Sequence, residues 1–328
     1  MRLSGSETPR TRAGTGCRSQ IGDLSRSRSL ESPSVPELPE VETVRRGLAP
    51  YLEGARIDRV TLNRKDLRFP FPRGFARALE GQTITSVGRR AKYLLFRLSS
   101  GRTWLSHLGM TGAYRFAEGR FKEPSRYYEP GEDVKHDHVV IHLTHPSRGR
   151  LTLIYADARR FGFMDLFEHE ADSPHLRDLG PEPLGNEFNA EEMARRFRGK
   201  AAPIKAALLD QRVVAGIGNI YASEALYRAH IRPTARAGKL VLKSGKPSAR
   251  LDLLAGGVRS VLTEAIEAGG STLRDFRAAD GGSGYFQHRF AVYDREGEPC
   301  PTPGCTGTIE RIVQSGRSTF FCPVCQKP

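Results

Sequence analysis

The spacing of apolar positions changes four times along the chain, and each change marks a new structural segment. Residues 1–35 have no apolar period: Ile21, Leu24 and Leu30 are scattered among Ser, Arg, Gly and Thr. Such a composition buries too little surface to offset the entropy of ordering it, so the stretch reads as disordered. From Pro36 the pattern becomes helical. Carboxylates at 37, 40 and 42 accompany prolines at 36 and 39, and Val41, Val44 and Leu48 follow at helical spacing. That predicts an amphipathic helix with an acidic first turn. Between about 56 and 165 the runs TITSVG, KYLLFRL, RTWLSHL, DHVVIHL and RLTLIYA recur between Gly, Pro and polar breaks, the pattern of an antiparallel sandwich or barrel. A Pro/Gly-rich stretch at 173–185 then leads into helical patterns at about 189–198, 203–209, 219–229 and 249–268. In the tail, GTIERIVQ and RSTFFC flank Ser315-Gly316 as a hairpin.

The fold class expected is therefore α+β and multidomain. A helix and an antiparallel β-sandwich fill 36–172, and 173–185 is a linker. A helical domain occupies 186–290 and a cysteine-bearing hairpin module 291–328. With 51 Lys+Arg against 37 Asp+Glu among 328 residues, the net charge is +14, of which residues 1–34 supply only +3. The excess lies on the folded part, and a basic folded surface points to nucleic acid before anionic membrane. No apolar run approaches the length of a bilayer span, and the start lacks the continuous apolar stretch of a secretory signal. The chain reads as cytoplasmic, where disulfides are disfavoured.

Four of the five cysteines crowd into the tail as Cys300-x4-Cys305, sixteen residues, then Cys322-x2-Cys325. Each pair can offer two thiolates to one tetrahedral Zn²⁺, closed and hence structural, while two disulfides or free core thiols are the alternative. The hairpin between them displays Arg317, which reads either as a group gripping phosphate or as a solvated turn residue. In LLDQRVVAGIGNIYASEAL, two helices meet at a Gly-punctuated turn with Asn219 as the expected N-cap. Free N–H groups there form an anion site suited to a phosphate, unless the motif is an ordinary helical hairpin. Gly216 and Gly218 would let backbone approach a ligand. Lys92, in GRRAKYLLF, and Lys205, after Pro203, each read singly as solvated cations. His136, His138 and His142 are placed on one strand face, a weak pattern for a metal. Arg159, Arg160 and Phe161 form either an edge turn or a cation and aromatic group that stacks on bases. Met110, in HLGMTG, is a gap-filler or an apolar tip.

Taken together, PELPEVETVRRGL (36–48), RRAK with KYLLF, HLGMTG, KHDH, YADARRFG, LGPEPL, GIGN with IYASEAL, GGSTLRDF to GYF, and GRSTFFCPVCQ stand in one order across residues 36–327. In that order they resemble the formamidopyrimidine-DNA glycosylase family, and Leu38-Pro39-Glu40-Val41-Glu42-Thr43 favours its oxidised-purine branch over endonuclease VIII. The resemblance implies a helix-two-turn-helix domain after the β-sandwich, one structural Zn²⁺, and a monomer acting on damaged double-stranded DNA. It implies excision of 8-oxoguanine and formamidopyrimidines through a proline imine, followed by β,δ-elimination. By it Pro36 is the nucleophile, Glu37 the general acid, Lys92 a proton-transfer group and Arg317 the hairpin arginine of δ-elimination. Met110, Arg159 and Phe161 would fill the void left by an everted base. His136, Lys200, Lys205 and Asn219 would bind phosphates, although Ala201 stands where a cation is expected beside Lys200. Glu40 either supports the site or serves only as a helix-dipole carboxylate. The glycine-rich loop at 270–286 would cover the extruded base. A non-catalytic, zinc-containing DNA-damage-binding protein would share all of this except a free Pro36 amine.

An amide nitrogen cannot attack a sugar carbon, and in this sequence 35 residues precede Pro36. Val35 stands where the family has its initiator Met. The expectation is that translation begins at position 35 on a GUG codon and that removal of the Met leaves a chain starting at Pro36. A cleaved targeting peptide is the alternative.

Overall fold

The computed structural model describes residues 35–117, 134–271 and 285–328. Helix α1 (Leu38–Leu52) opens with the Glu37 N–H donating to the Glu40 carboxylate at 2.9 Å, a reciprocal cap that satisfies an otherwise orphaned donor. Val41, Val44, Leu48 and Leu52 form its buried stripe, as the spacing requires. After β1 (Arg56–Leu62) and the short α2 (Phe75–Leu79) come β2 (Ile84–Arg90), β3 (Tyr93–Leu98), β4 (Thr103–His107) and β5 (Gly112–Phe116). The strands β6 (Asp137–His145), β7 (Gly149–Asp157) and β8 (Phe163–Phe167) complete the region. They form two four-stranded antiparallel sheets, in the orders β1-β6-β7-β5 and β2-β3-β4-β8. Their shared core includes Phe96 and Trp104, stacked with centroids 4.1 Å apart, beside Tyr114 and Tyr155.

One expectation fails here for a visible reason. The register of β6 slips between Asp137 and Val139, and a bulge changes which face a side chain takes. His138 is buried and donates through Nε2 to the Asp157 carbonyl at 2.8 Å, whereas His142 is exposed and His136 precedes the strand. The three imidazoles do not share a face.

Helices α3 (Ala190–Phe197), α4 (Ile204–Leu209), α5 (Asn219–Arg228) and α6 (Ala249–Glu267) follow the linker, close to the spans read from periodicity. The hairpin of β9 (Glu310–Gln314) and β10 (Arg317–Phe321) turns at Ser315 and Gly316, both with positive φ, the geometry that suits the right-handed twist of the strands. Ile309, Phe320, Cys300 and Cys322 belong to the same core as the helices. Gln326 joins the two parts by donating to the Ile231 carbonyl and accepting from the Cys322 N–H. Among the described residues, no helix is long and apolar enough to cross a membrane.

Since the four-cysteine hairpin and the helices share one core, loss of a zinc ligand should be felt by both. Cys322→Ser is expected to abolish stoichiometric zinc and to lower Tm by roughly 5 °C or more. Elemental analysis together with calorimetry measures both, and a metal-free variant of unchanged Tm would contradict the shared core.

Candidate active site

Glu37 precedes α1 yet lies against the start of α5, 2% exposed, where its Oε1 accepts the Ile220 N–H at 3.0 Å. The anion at this helix start is therefore a side chain of the protein. The cap is Gly218, and Asn219 is the first helical residue rather than the N-cap. A Cβ on Gly218 would fall on the Glu37 carboxylate, and one on Gly216 would meet Leu38 and the Ala91 backbone. The two glycines thus admit α1 and the β2–β3 turn, and the Leu38 N–H donates to the Gly216 carbonyl at 3.1 Å. Burial raises the pKa of Glu37 to about 7 despite the nearby Lys92 ammonium and the Ile220 and Gly218 amides, while Glu40 adds to the rise. Its Oε2 is buried and has no hydrogen-bond partner among the described residues.

Glu40, fully buried, also accepts from the Tyr221 hydroxyl at 2.5 Å and from both the N–H and hydroxyl of Ser271 at 2.9 Å. That is more than a helix-dipole role. It fastens Ser271, the last described residue before segment 272–284, to α1. The expected covering loop itself lies outside the described residues; beyond it, Tyr285 is exposed and Phe286 buried.

Lys92 follows Ala91, which turns the β2–β3 hairpin with φ 52°, unusual for a residue with a Cβ. Glu182 of the linker holds this turn, accepting from the Ala91 N–H at 2.5 Å and from Arg89 and Arg90 at 2.9 Å. Arg89 also reaches Glu42 of α1 at 3.2 Å. Burial lowers the pKa of Lys92, Glu37 raises it, and Arg317 adds to the lowering. Lys205 is 1% exposed, its Nζ donating to the Thr319 hydroxyl at 2.7 Å and the Ser318 carbonyl at 3.1 Å. Burial brings its pKa down to about 7, opposed by Glu37 and reinforced by Arg317. Asn219 donates to the same Ser318 carbonyl at 3.0 Å. Lys205 and Asn219 therefore both grip the strand that starts with the exposed Arg317.

The four cysteine sulfurs lie within 4.8 Å of one another, with Cys300–Cys325 and Cys305–Cys322 each 3.6 Å apart. Thiolates at Zn–S distances of about 2.3 Å in a tetrahedron are roughly 3.8 Å apart, so the cluster fits one zinc ion. Away from this centre, Arg159 lies over the exposed Phe161 ring at 5.0 Å, on a loop beside the half-buried Met110. His136 and Lys200 are half-buried, and no contact joins either to Glu37.

Sequence reasoning missed Glu182 and His107. Glu182 was visible only as part of LGPEPL, and nothing local reveals that it folds onto the Lys92 turn. Burial with the charges of Lys92 and Arg68 holds the pKa of His107 at about 3, leaving a neutral ring. Its Nδ1 accepts from the Gly109 N–H, so Nε2 carries the proton.

A buried carboxylic acid and a lysine set between a β-sandwich and a helical domain, beside a Cys₄ hairpin carrying arginine, define a helix-two-turn-helix DNA glycosylase. Three family profiles match in order: the formamidopyrimidine-DNA glycosylase N-terminal domain over 35–164, its H2TH domain over 179–277, and the zinc finger found in FPG and IleRS over 297–328. Formamidopyrimidine-DNA glycosylase from Rhizobium leguminosarum bv. trifolii is 56% identical over 302 residues, covering 89% of this chain and 100% of that protein. The one from Rhodopseudomonas palustris strain HaA2 is 57% identical over 296 residues with the same coverage. The crystal structure of MutM (Fpg) from Thermus thermophilus superposes with TM-score 0.72 at 40% identity, and Lactococcus lactis Fpg in complex with abasic-site DNA with 0.72 at 33%. Each covers 89% of this chain and all of the solved one. The chain belongs to the formamidopyrimidine-DNA glycosylase family. It is a base-excision repair glycosylase, and the catalytic reading prevails over a non-catalytic damage-binding protein.

Gly218 has φ −136°, a conformation open to any residue, so the effect of Gly218→Ala falls on Glu37 rather than on the backbone. Base excision is expected to drop roughly 100-fold with zinc content and fold retained. Single-turnover kinetics with circular dichroism would show this, and wild-type excision would mean that the Glu37 position is unimportant.

Proposed function

We propose that this protein excises 8-oxoguanine and formamidopyrimidines from duplex DNA and then cleaves the strand as an AP lyase. The observation that carries the reading is Glu37: a buried carboxyl with a pKa of about 7, one oxygen held by Ile220 and the other without a partner among the described residues. Near neutral pH such a group keeps a proton on Oε2 that it can deliver to a developing alkoxide. The base is everted to reach the site, and Met110, Arg159 and Phe161 fill the space it leaves. The Pro36 nitrogen attacks C1′ and the C1′–base bond breaks, its electron pair leaving with the base, which takes up the proton that the amine sheds. Glu37 protonates O4′ as the sugar ring opens. A secondary amine gives an iminium that is cationic without protonation, an electron sink for loss of the C2′ proton. Lys92 serves this proton transfer, and the 3′ phosphate leaves in β-elimination. Arg317 holds the phosphate and assists the δ-elimination that releases the 5′ phosphate. Zinc supplies rigidity to the hairpin, its four thiolates leaving no open position.

Lys205, Asn219, His136 and Lys200 contact phosphates in this reading. A single chain supplies every group named, which supports a monomer. The relatives are bacterial, which supports action in the bacterial cytoplasm. Pro36 reacts only with its nitrogen released from Val35.

The test is borohydride reduction of the imine on damaged duplex. A cross-linked species whose protein begins at Pro36 is expected, and an active species trapped with Val35 still attached would remove Pro36 as nucleophile. Glu37→Gln should lose excision by roughly 1,000-fold, yet still trap on a preformed abasic site, whose sugar opens to the aldehyde without an acid from the protein. In the wild type, kcat/KM for excision should fall as pH rises above about 7, because the acid form of Glu37 is then depleted. A flat profile from pH 6 to 9 would remove Glu37 as the acid.

Arg317→Ala should weaken DNA binding and late strand cleavage with zinc retained. It should flatten the slope of log K against log salt by about one unit, the loss of one phosphate contact. An unchanged slope would place Arg317 off the phosphate.

A further inference from the structure

The loop after β4 (107–112) and the loop after β7 (157–162) meet through a fully buried carboxylate. Asp157 Oδ1 accepts from the Thr111 hydroxyl at 2.5 Å. Its Oδ2 accepts from the Gly162 N–H at 2.8 Å and from the Tyr155 hydroxyl at 3.4 Å. The Thr111 hydroxyl in turn accepts from the Arg159 N–H at 3.0 Å, so one side chain of the first loop is bonded to two residues of the second, whose far end at Gly162 is held by Asp157. There is no slack between the two backbones. A Cβ on Gly109 would lie within the Phe161 and Gly162 backbone, one on Gly112 would meet the Leu108 carbonyl and the Tyr155 hydroxyl, and one on Gly162 would meet the Tyr155 hydroxyl. From this joint project Met110 on one loop and Arg159 and Phe161 on the other, the aromatic ring 42% exposed. Asp157 at the centre is fully buried, while Arg159 and Phe161 are exposed and Met110 is half-buried.

We propose that Asp157 and Thr111 are positioning residues that fuse the two loops into a single wedge, so that Met110, Arg159 and Phe161 enter the duplex as one body. This rests on the reading that those three tips fill the void left by an everted base. The physical reason for such a joint is entropic. Three tips on independent loops would each be ordered at the moment of insertion, whereas tips on one pre-bonded body are ordered during folding.

Thr111→Val keeps the shape of the side chain and deletes its hydroxyl, leaving the buried Asp157 Oδ1 short of a donor. Thr111→Ser keeps the hydroxyl and serves as the rescue control, with zinc content and Tm checked for both. In the DNA-free protein, hydrogen exchange should quicken at the Arg159 and Gly162 amides in Thr111→Val by roughly tenfold and stay near wild type in Thr111→Ser. On duplex carrying 8-oxoguanine beside 2-aminopurine, Thr111→Val should slow the insertion fluorescence and excision by roughly tenfold, with KM little changed. Combined with Phe161→Ala, it should add much less than it costs alone, because both act through the same tip. Additive losses, or exchange in 157–162 indifferent to Thr111→Val, would overturn the joint. Excision indifferent to Phe161→Ala itself would instead overturn the void-filling reading, while hydrogen exchange would still decide the coupling of the loops.

Discussion

The whole active centre depends on the contact between Glu37 and the N-terminus of α5. It is a contact between domains: the carboxyl arrives from the first residues of the β-sandwich side, and the amides that receive it belong to the helical side. The fit requires Gly218 to lack a side chain and Gly216 to adopt φ 85° against Leu38 and Ala91. Docking two domains on a polar, water-excluded contact fixes the acid group in place and raises its pKa in the same act. A carboxyl in bulk water at this position would be ionised and useless as an acid at neutral pH.

Around that contact the structure adds two supports of different character. Glu182 gathers Arg89, Arg90 and the Ala91 amide, and Arg89 extends the chain of charges to Glu42 on α1. Lys92 therefore stands on a turn braced from the linker and from α1 together. The second support is Glu40, which ties α1 to Tyr221 and Ser271. Neither carboxylate is offered to solvent in the way a surface ion pair would be. Partial burial with several donors per oxygen makes such pairs costly to break and hence specific in geometry.

Much of this was legible beforehand. Helical spacing located α3 to α6 within a residue or two, and the cysteine spacing gave the metal cluster, because both signals are local and periodic. Pro36, Glu37, Lys92 and Arg317 stand in motifs whose order reads along the chain. What periodicity could not give is which element folds onto which. The glycines of GIGN looked like room for a ligand, and the room is taken by Glu37 and Leu38. Asn219 looked like a cap, and its side chain instead holds the Ser318 carbonyl of the zinc hairpin. The imidazoles of KHDH looked co-facial, and a single register slip separates them. In each case the local propensity was overridden by a contact more than 70 residues away or by a bulge.

The cations of the site follow from the same constraint of burial. Lys92 and Lys205 both have pKa values pushed down by desolvation, and Arg317 pushes each of them further, while Glu37 acts in the opposite sense. Lys92, Lys205 and Arg317 thus share with one weak acid a space where charge is poorly solvated. Zinc binding stiffens the hairpin that brings Arg317 to this cluster, since Lys205 and Asn219 grip β10 by its backbone. In the proposed phosphate role of Arg317, a phosphate beside it would offset the mutual repulsion of the cations and favour the protonated lysines. The tuning of the two lysines thus arises from burial together with an arginine carried on the hairpin whose base the four cysteines gather.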